Sequence, residues 1–320
     1  MILTEFPDYQ YLKARADKAF KEETAPNPTE APTQKYDWPL VILNTHSRQC
    51  HRPDIKGPFS IFTNINGTSL VSAGSKKVAV PDDCFFLTNR AQPYTLDIDS
   101  EAKPVETFNL HLGQDIWEDY IKAQLLTPTH LLDNPFVPVL GTGVTDVLNL
   151  LQRKTPALAQ ALAQLHSLSK TTQVSALELE ENLVPLLHAL VETKRELERG
   201  TQRIKAAKAS ARLELFRRIS LATDFLLAFP EDNPSLERIA NIACLSKFHF
   251  LRAFTQLHGQ TPHQFLLQHR IQRSLPLLRF SRLPVSEVGL LCGYSDLSTF
   301  SRTFRKLMGC SPALFRAQST

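Results

Sequence analysis

The sequence predicts an α+β multidomain chain. An antiparallel β-barrel or sandwich comes first, a helical segment follows, and an all-α domain closes it with two helix-turn-helix units joined by a linker helix. Three observations carry this. Between Trp38 and about Gly113, short β-branched and aromatic runs alternate with Asn, Gly, Pro and Asp turns, the pattern of many short strands. Over 115–210 leucines recur at helical spacing. Residues 236–265, LERIANIACLSKFHFLRAFTQLHGQTPHQF, are echoed at 285–315 by VSEVGLLCGYSDLSTFSRTFRKLMGCSPALF. A repeat of that length usually marks one supersecondary unit used twice. Its offset is 49 up to Ser246/Ser295 and 50 from Arg252/Arg302 onward, which places the added residue at the start of the second helix of the unit.

A chain of 320 residues suggests about two domains. The expected divisions are an arm over 1–36, a strand-rich domain over 37–115, a helical region over 116–209 and a basic helical domain over 210–320. Residues 210–320 hold 14 Lys+Arg against 7 Asp+Glu, leaving 22 against 25 elsewhere. Such asymmetry is expected where one module meets phosphate and another does not. The five cysteines form no CxxC pair and no Cys/His metal spacing, and read as free thiols of a reducing compartment. Without an apolar N-terminal signal or a membrane-length apolar run, the expected location is the cytoplasm, with no membrane partner.

Taken in order, residues 8–23 read as a short charged helix, and TAPNPTEAPT at 24–33 as a proline-broken linker or extended arm. The strand runs are PLVILNTH, FSIFTNI, TSLVSA, KKVAVP, CFFLTN, PYTLDI and VETFNLHL. Two leucine stripes follow, Leu158/Leu162/Leu165/Leu168 and Leu183/Leu187/Leu190/Leu197. Either could be plain core or an oligomer seam. Pro185 should interrupt or kink the second helix unless it lies in its first turn.

In the basic domain Ser235 should cap one helix, and Ser246 and Ser295 should cap the second helix of each unit. The pairs Phe250/Phe254 and Phe300/Phe304 anchor one face by i,i+4 packing. The opposite face offers Lys247, His249, Leu251, Arg252 and Gln256 in the first copy. The second offers Asp296, Ser298, Thr299, Ser301, Arg302 and Arg305, with Lys306 beside them. Arginine can fork onto guanine, while Ser, Thr and His make shorter contacts to bases or phosphates. Lys247, Arg305 and Lys306 suit phosphates, as do the helix N-termini at Ser246 and Ser295. Each unit ends in Gly, two residues, then Pro (GQTP at 259–262, GCSP at 309–312), a left-handed helix stop followed by a cap and a proline start.

The segment HRIQRSLPLLRFSRLPVSEVGLLCGYSDLSTFSRTFRKLMGCSPALFR, 269–316, resembles the DNA-binding domain of the AraC/XylS family of bacterial transcription regulators, and the likeness extends over about 210–318. The resemblance implies that the second helix of each unit enters the major groove of double-stranded DNA, at Phe248, Leu251 and Arg252, then Ser298, Thr299 and Arg302. It also implies a cupin-type barrel for sensing, a helical segment that dimerises, a homodimer, contact with RNA polymerase and control by a small-molecule effector. Phe59, Phe62, Phe86, Tyr94 and Phe108 would line the effector pocket, unless they are simply core. Two departures stand out. Pro276 interrupts the linker helix, and Phe248 and Leu251 are apolar where polar base readers often stand. His46, His51 and His111 are scattered and no H-x-H occurs, so the expectation is no enzyme, no metal and no cofactor; the alternatives are a cupin-type metalloenzyme carrying a DNA-binding domain and a ligand-independent regulator.

Overall fold

The β-branched and aromatic runs do pair as strands, but into two sheets rather than one closed surface. A computed structural model describes residues 1–20, 38–74, 76–101, 103–113, 115–125, 146–171, 174–206 and 208–318. The linker expected at 24–33 lies outside them. The chain divides into two units, Met1–Arg195 and Glu196–Thr320.

In the first unit, helix α1 (Tyr9–Ala19) starts at Asp8, whose carboxylate accepts the Tyr11 N–H at 2.8 Å. One sheet contains β1 (Ile2–Leu3), β2 (Val41–Ser47), β9 (Val105–Leu112), β4 (Phe59–Asn66), β7 (Cys84–Thr88) and β10 (Leu151–Arg153), in that spatial order. The other runs β3 (Gln49–Ile55), β8 (Tyr94–Asp99), β5 (Thr68–Ala73) and β6 (Lys76–Pro81). Among the described residues neither sheet closes on itself, so the expected barrel is corrected to two sheets with free edges. Within the strand-rich domain over 37–115 the pairing is antiparallel as expected; the arm adds one parallel strand, β1, with Ile2 opposite Ile42 of β2. The expected helical stretch 116–209 contains the short strand β10, which pairs with β7. Strands of two or three residues carry too little alternation to be read from sequence.

Strand alternation gives the first sheet two different faces. Phe59, Ile61, Phe85, Leu87, Phe108, Leu110 and Leu112 share one core with helices α2 (Ile116–Leu125), α3 (Pro156–Ser169) and α4 (Ala176–Arg203). Leu158, Leu162, Leu165, Leu183, Leu187 and Leu190 are buried in that core. These six are therefore packed within their own chain, each worth roughly 1.5–3 kcal/mol of burial, with Leu168 partly buried against them and Leu197 outside this core. Helix α4 runs through Pro185 without ending. The proline removes one bond, to the Glu181 carbonyl, at an exposed position where water can replace it.

In the second unit, α5 (Ala209–Ala228) precedes two helix pairs joined by a long helix. The first pair is α6 (Leu236–Ile242) and α7 (Lys247–His258), the connecting helix is α8 (Pro262–Phe280), and the second pair is α9 (Val285–Leu291) and α10 (Leu297–Met308). Helix α11 (Pro312–Ala317) follows. Pro276, like Pro185, lies inside its helix at an exposed position, so the expected interruption does not occur. Thr261 and Ser311 cap α8 and α11, with Pro262 and Pro312 as first residues.

A buried arginine on α8 ties the two pairs together. Arg270 Nε donates to the Pro230 carbonyl at 2.6 Å, and Nη2 donates to the Asp232 carbonyl and Asn233 Oδ1, both at 2.9 Å. Its guanidinium also lies 5.6 Å from the ring centre of Tyr294, in the turn before α10. In that turn Gly293 sits at φ +85°, where a Cβ would come within 2.7 Å of the Pro230 carbonyl oxygen. The loop before α6 and the turn before α10 are thus in backbone contact.

Candidate nucleic-acid interface

Helix α7 begins where Ser246 Oγ accepts the His249 N–H at 3.4 Å and stops at Gly259, φ +71°. Phe250, Ala253, Phe254 and Leu257 form its buried face, with the two phenylalanine rings 5.4 Å apart. The helical period therefore turns Phe248, Arg252 and Thr255 outward. Phe248 is 89% exposed. Among the described residues the Arg252 side chain meets no acceptor. Leu251 is half-buried at the edge of the face and His249 is exposed. Lys247 is exposed but paired with Glu237 at 3.1 Å. Gln256 is half-buried, and its Oε1 accepts the Lys205 backbone N–H at 3.2 Å; it faces the segment before α5 more than open solvent.

Helix α10 has the same length and an equivalent buried face, Phe300 and Phe304 with rings 5.7 Å apart, ending at Gly309, φ +77°. Its cap is Asp296, not Ser295. The Asp296 carboxylate accepts the Thr299 N–H and the Thr299 hydroxyl, each at 2.8 Å. These two bonds, the backbone one first, hold its carboxyl below the usual aspartate range. Ser295 donates to the same carboxylate at 3.3 Å. Two adjacent capping residues left the sequence ambiguous, and the carboxylate, a charged acceptor at a helix N-terminus, has the advantage. Arg302 folds back along its helix, with Nε 3.4 Å from the Ser298 carbonyl and Nη2 3.4 Å from Thr299 Oγ1. Ser298, Arg302, Arg305 and Lys306 are exposed.

With the caps assigned, α7 and α10 superpose in sequence at an offset of 50 throughout: Ser246/Asp296, Phe248/Ser298, Arg252/Arg302, Gly259/Gly309. The turns before them still match at 49, because Cys244 (φ +52°) stands where the second pair has Gly293. The added residue is Ser295, in the turn. The sequence reading placed it at the start of the helix, which is corrected: the two outward faces are in register, and only the turn differs.

The aromatic residues expected to line an effector pocket do not all meet. Phe62 and Phe86 are cross-strand partners facing the second sheet, where Tyr94 lies 4.8 Å from Phe62 between ring centres. Phe59 and Phe108 point the other way, into the helix-covered core. Phe59 stacks on Trp117 at 4.5 Å and lines a cleft with Trp38, Arg90 and Glu118. Between the sheets the sequence reading missed a polar group: His111, Ser60, Asn64, Thr88 and Asn109. His111 Nδ1 lies 2.9 Å from Ser60 Oγ, and burial pushes its imidazole down to about 4, so it is neutral. Burial also pushes the Tyr94 phenol up. Among the described residues, Asn64 Oδ1, Asn109 Nδ2 and Thr88 Oγ1 are buried with no hydrogen-bond partner. In VETFNLHL the polar residues alternate with apolar ones, which reads as a solvated face; a second sheet covers it instead. His46, His51 and His111 do not converge: His46 reaches Glu106 (3.4 Å), His51 reaches Asp97 (2.6 Å), and His111 points between the sheets. Among the described residues no helix is long and apolar enough to cross a membrane.

Comparison with known proteins follows the same division. Residues 239–318 match a helix-turn-helix domain model, and residues 41–187 an AraC-like ligand binding domain model. The MmsAB operon regulatory protein of Pseudomonas aeruginosa is 43% identical over 81 residues, 25% of this chain and 26% of that one. The HTH-type transcriptional regulator AlkR of Acinetobacter baylyi is 32% identical over 101 residues, 32% of this chain and 33% of that one. A crystal structure of an AraC-type transcriptional regulator from Chromobacterium violaceum aligns at 29% identity over 32% of this chain and 93% of that chain, with a TM-score of 0.31. The matched stretch thus spans about a quarter to a third of the curated relatives' length.

Proposed function

We propose, from the fact that the chain belongs to the AraC/XylS family of bacterial transcription regulators, that it is a sequence-specific DNA-binding regulator controlled through its N-terminal domain. Each helix pair acts as a helix-turn-helix unit, with α7 and α10 entering successive major-groove segments. The observation that carries this is the shared register of the two outward faces, with Arg252 and Arg302 at matched positions on identically anchored helices. Helix α8, 19 residues at ~1.5 Å each, is about 28 Å long, comparable with the ~34 Å between major-groove segments on one face of B-DNA.

The reading extends to the first unit. A small-molecule effector would bind between the sheets, near Phe62, Phe86, Tyr94 and His111, and bias the protein between two arrangements. The chain would act as a cytoplasmic homodimer that contacts RNA polymerase. Because Leu158, Leu162 and Leu165 of α3 and Leu183, Leu187 and Leu190 of α4 are buried in their own core, the face left for a second copy includes the exposed Leu177 and Val184 of α4. Selection of bound duplexes from a random pool, at several salt concentrations, tests the central claim. Recovery of one enriched sequence supports it; affinity that depends on salt but on no sequence refutes it.

A further inference from the structure

Phe248 is the most exposed large apolar side chain of the described residues, and it lies at the centre of the outward face of α7, opposite Phe250 and Phe254. It packs on nothing in its own unit that would account for an aromatic residue there. One turn on, Leu251 extends the apolar edge and Arg252 is exposed, with no acceptor among the described residues. In the register fixed by the two caps, the same positions of α10 hold Ser298, Ser301 and Arg302. The two faces thus share an arginine and differ in the groups around it, apolar on one and hydroxyl on the other. In the major groove the apolar feature a base pair presents is the 5-methyl group of thymine; the remaining edges are donors and acceptors.

We propose that Phe248, flanked by Leu251, reads thymine through its 5-methyl group, so that the DNA segment under α7 is recognised partly by methyls and the segment under α10 is not. This rests on the DNA-reading function proposed above. Removing one buried methyl from the contact is expected to weaken binding about four-fold.

The test uses the full chain and a duplex selected by it from a random pool. Thymines are replaced by deoxyuridine, which lacks only the methyl, in one recognised segment at a time. The expected result is about a four-fold loss per contacted methyl in the α7 segment and no loss in the α10 segment. Phe248→Ala should bind the thymine duplex more weakly and bind thymine and uracil duplexes equally. Phe280→Ala, which removes another exposed phenylalanine (81%) at the far end of α8, should keep the wild-type discrimination. The proposal is overturned if uracil has no effect, if both segments respond alike, or if Phe248→Ala keeps the thymine preference. Absence of any preferred duplex would overturn the DNA-reading function itself, a separate and earlier failure.

Discussion

The two helix pairs of the second unit share a packing scheme and differ in how they hold the start of the outward helix. In α10, Asp296, Thr299 and Arg302 are linked side chain to side chain along one edge of the first two turns. The same positions in α7 are Ser246, His249 and Arg252; there the link ends at the cap, and among the described residues none reaches the arginine. The turn before each helix differs as well. Gly293 takes a positive φ with no space beside it, while Cys244 takes a similar φ with an exposed side chain. Among the described residues, one outward helix has its side chains linked over the first two turns and the other does not. The difference shows that a duplicated scaffold can hold its aromatic core constant while the order of its working face varies.

The comparison can be broken most sharply at the turns. Gly293→Ala should destabilise the second unit by roughly 2–4 kcal/mol, because it adds backbone strain to an overlap with the Pro230 carbonyl that no flexible group can relieve. Gly259→Ala and Gly309→Ala, which meet nothing within 4 Å, should each cost only about 1 kcal/mol. Urea midpoints of the three variants check this, and equal losses would remove the steric argument. Arg270→Met is expected to cost about 2–3 kcal/mol in the same assay, since it strips donors from the Pro230 and Asp232 carbonyls. Cys244→Gly should go the other way, leaving stability unchanged or raising it by up to about 1 kcal/mol; relief of the left-handed strain is partly offset by a freer unfolded chain. A lowered thermal midpoint would show that the cysteine side chain contributes something besides its backbone geometry.

The smallest effect concerns acid. The folded pKa of Asp296 is depressed, so its capping contribution is full above the ordinary aspartate value of 3.8 and is lost as pH falls through the lower folded value. The start of α10 should therefore loosen below pH 3.8, seen as a shift of the Thr299 amide resonance, while the His249 amide under the neutral Ser246 cap does not follow. Asp296→Asn should abolish the difference.

Much of the second unit was legible in the sequence because its signals are local. Ser246, Thr261, Ser311 and the Gly-x-x-Pro endings each mark a helix boundary within a few residues of themselves. The cap at Asp296 was missed because two capping residues are adjacent and only geometry chooses between them. The first unit was less legible, since sheet closure depends on pairings between distant strands such as β2 with β9 and β3 with β8. Phe59 and Phe108 could not be told from Phe62 and Phe86 by type; they are separated by strand parity and by which face the helices cover. Pro185 and Pro276 predict an interruption or kink because the rule for proline counts the lost bond and not the tertiary packing on the rest of the helix, and both helices continue through them.

The brace at Arg270 bears finally on the DNA such a protein could use. If both outward faces meet one duplex, a body locked at its middle acts as a fixed gauge. Each base pair inserted between the two recognised segments moves the second one ~3.4 Å along the axis and turns it about 35° around it. A hinge on α8 could follow that phase change. With the loop before α6 in backbone contact with the turn before α10, the duplex itself must twist or bend, so the separation of the two segments becomes part of the recognised sequence.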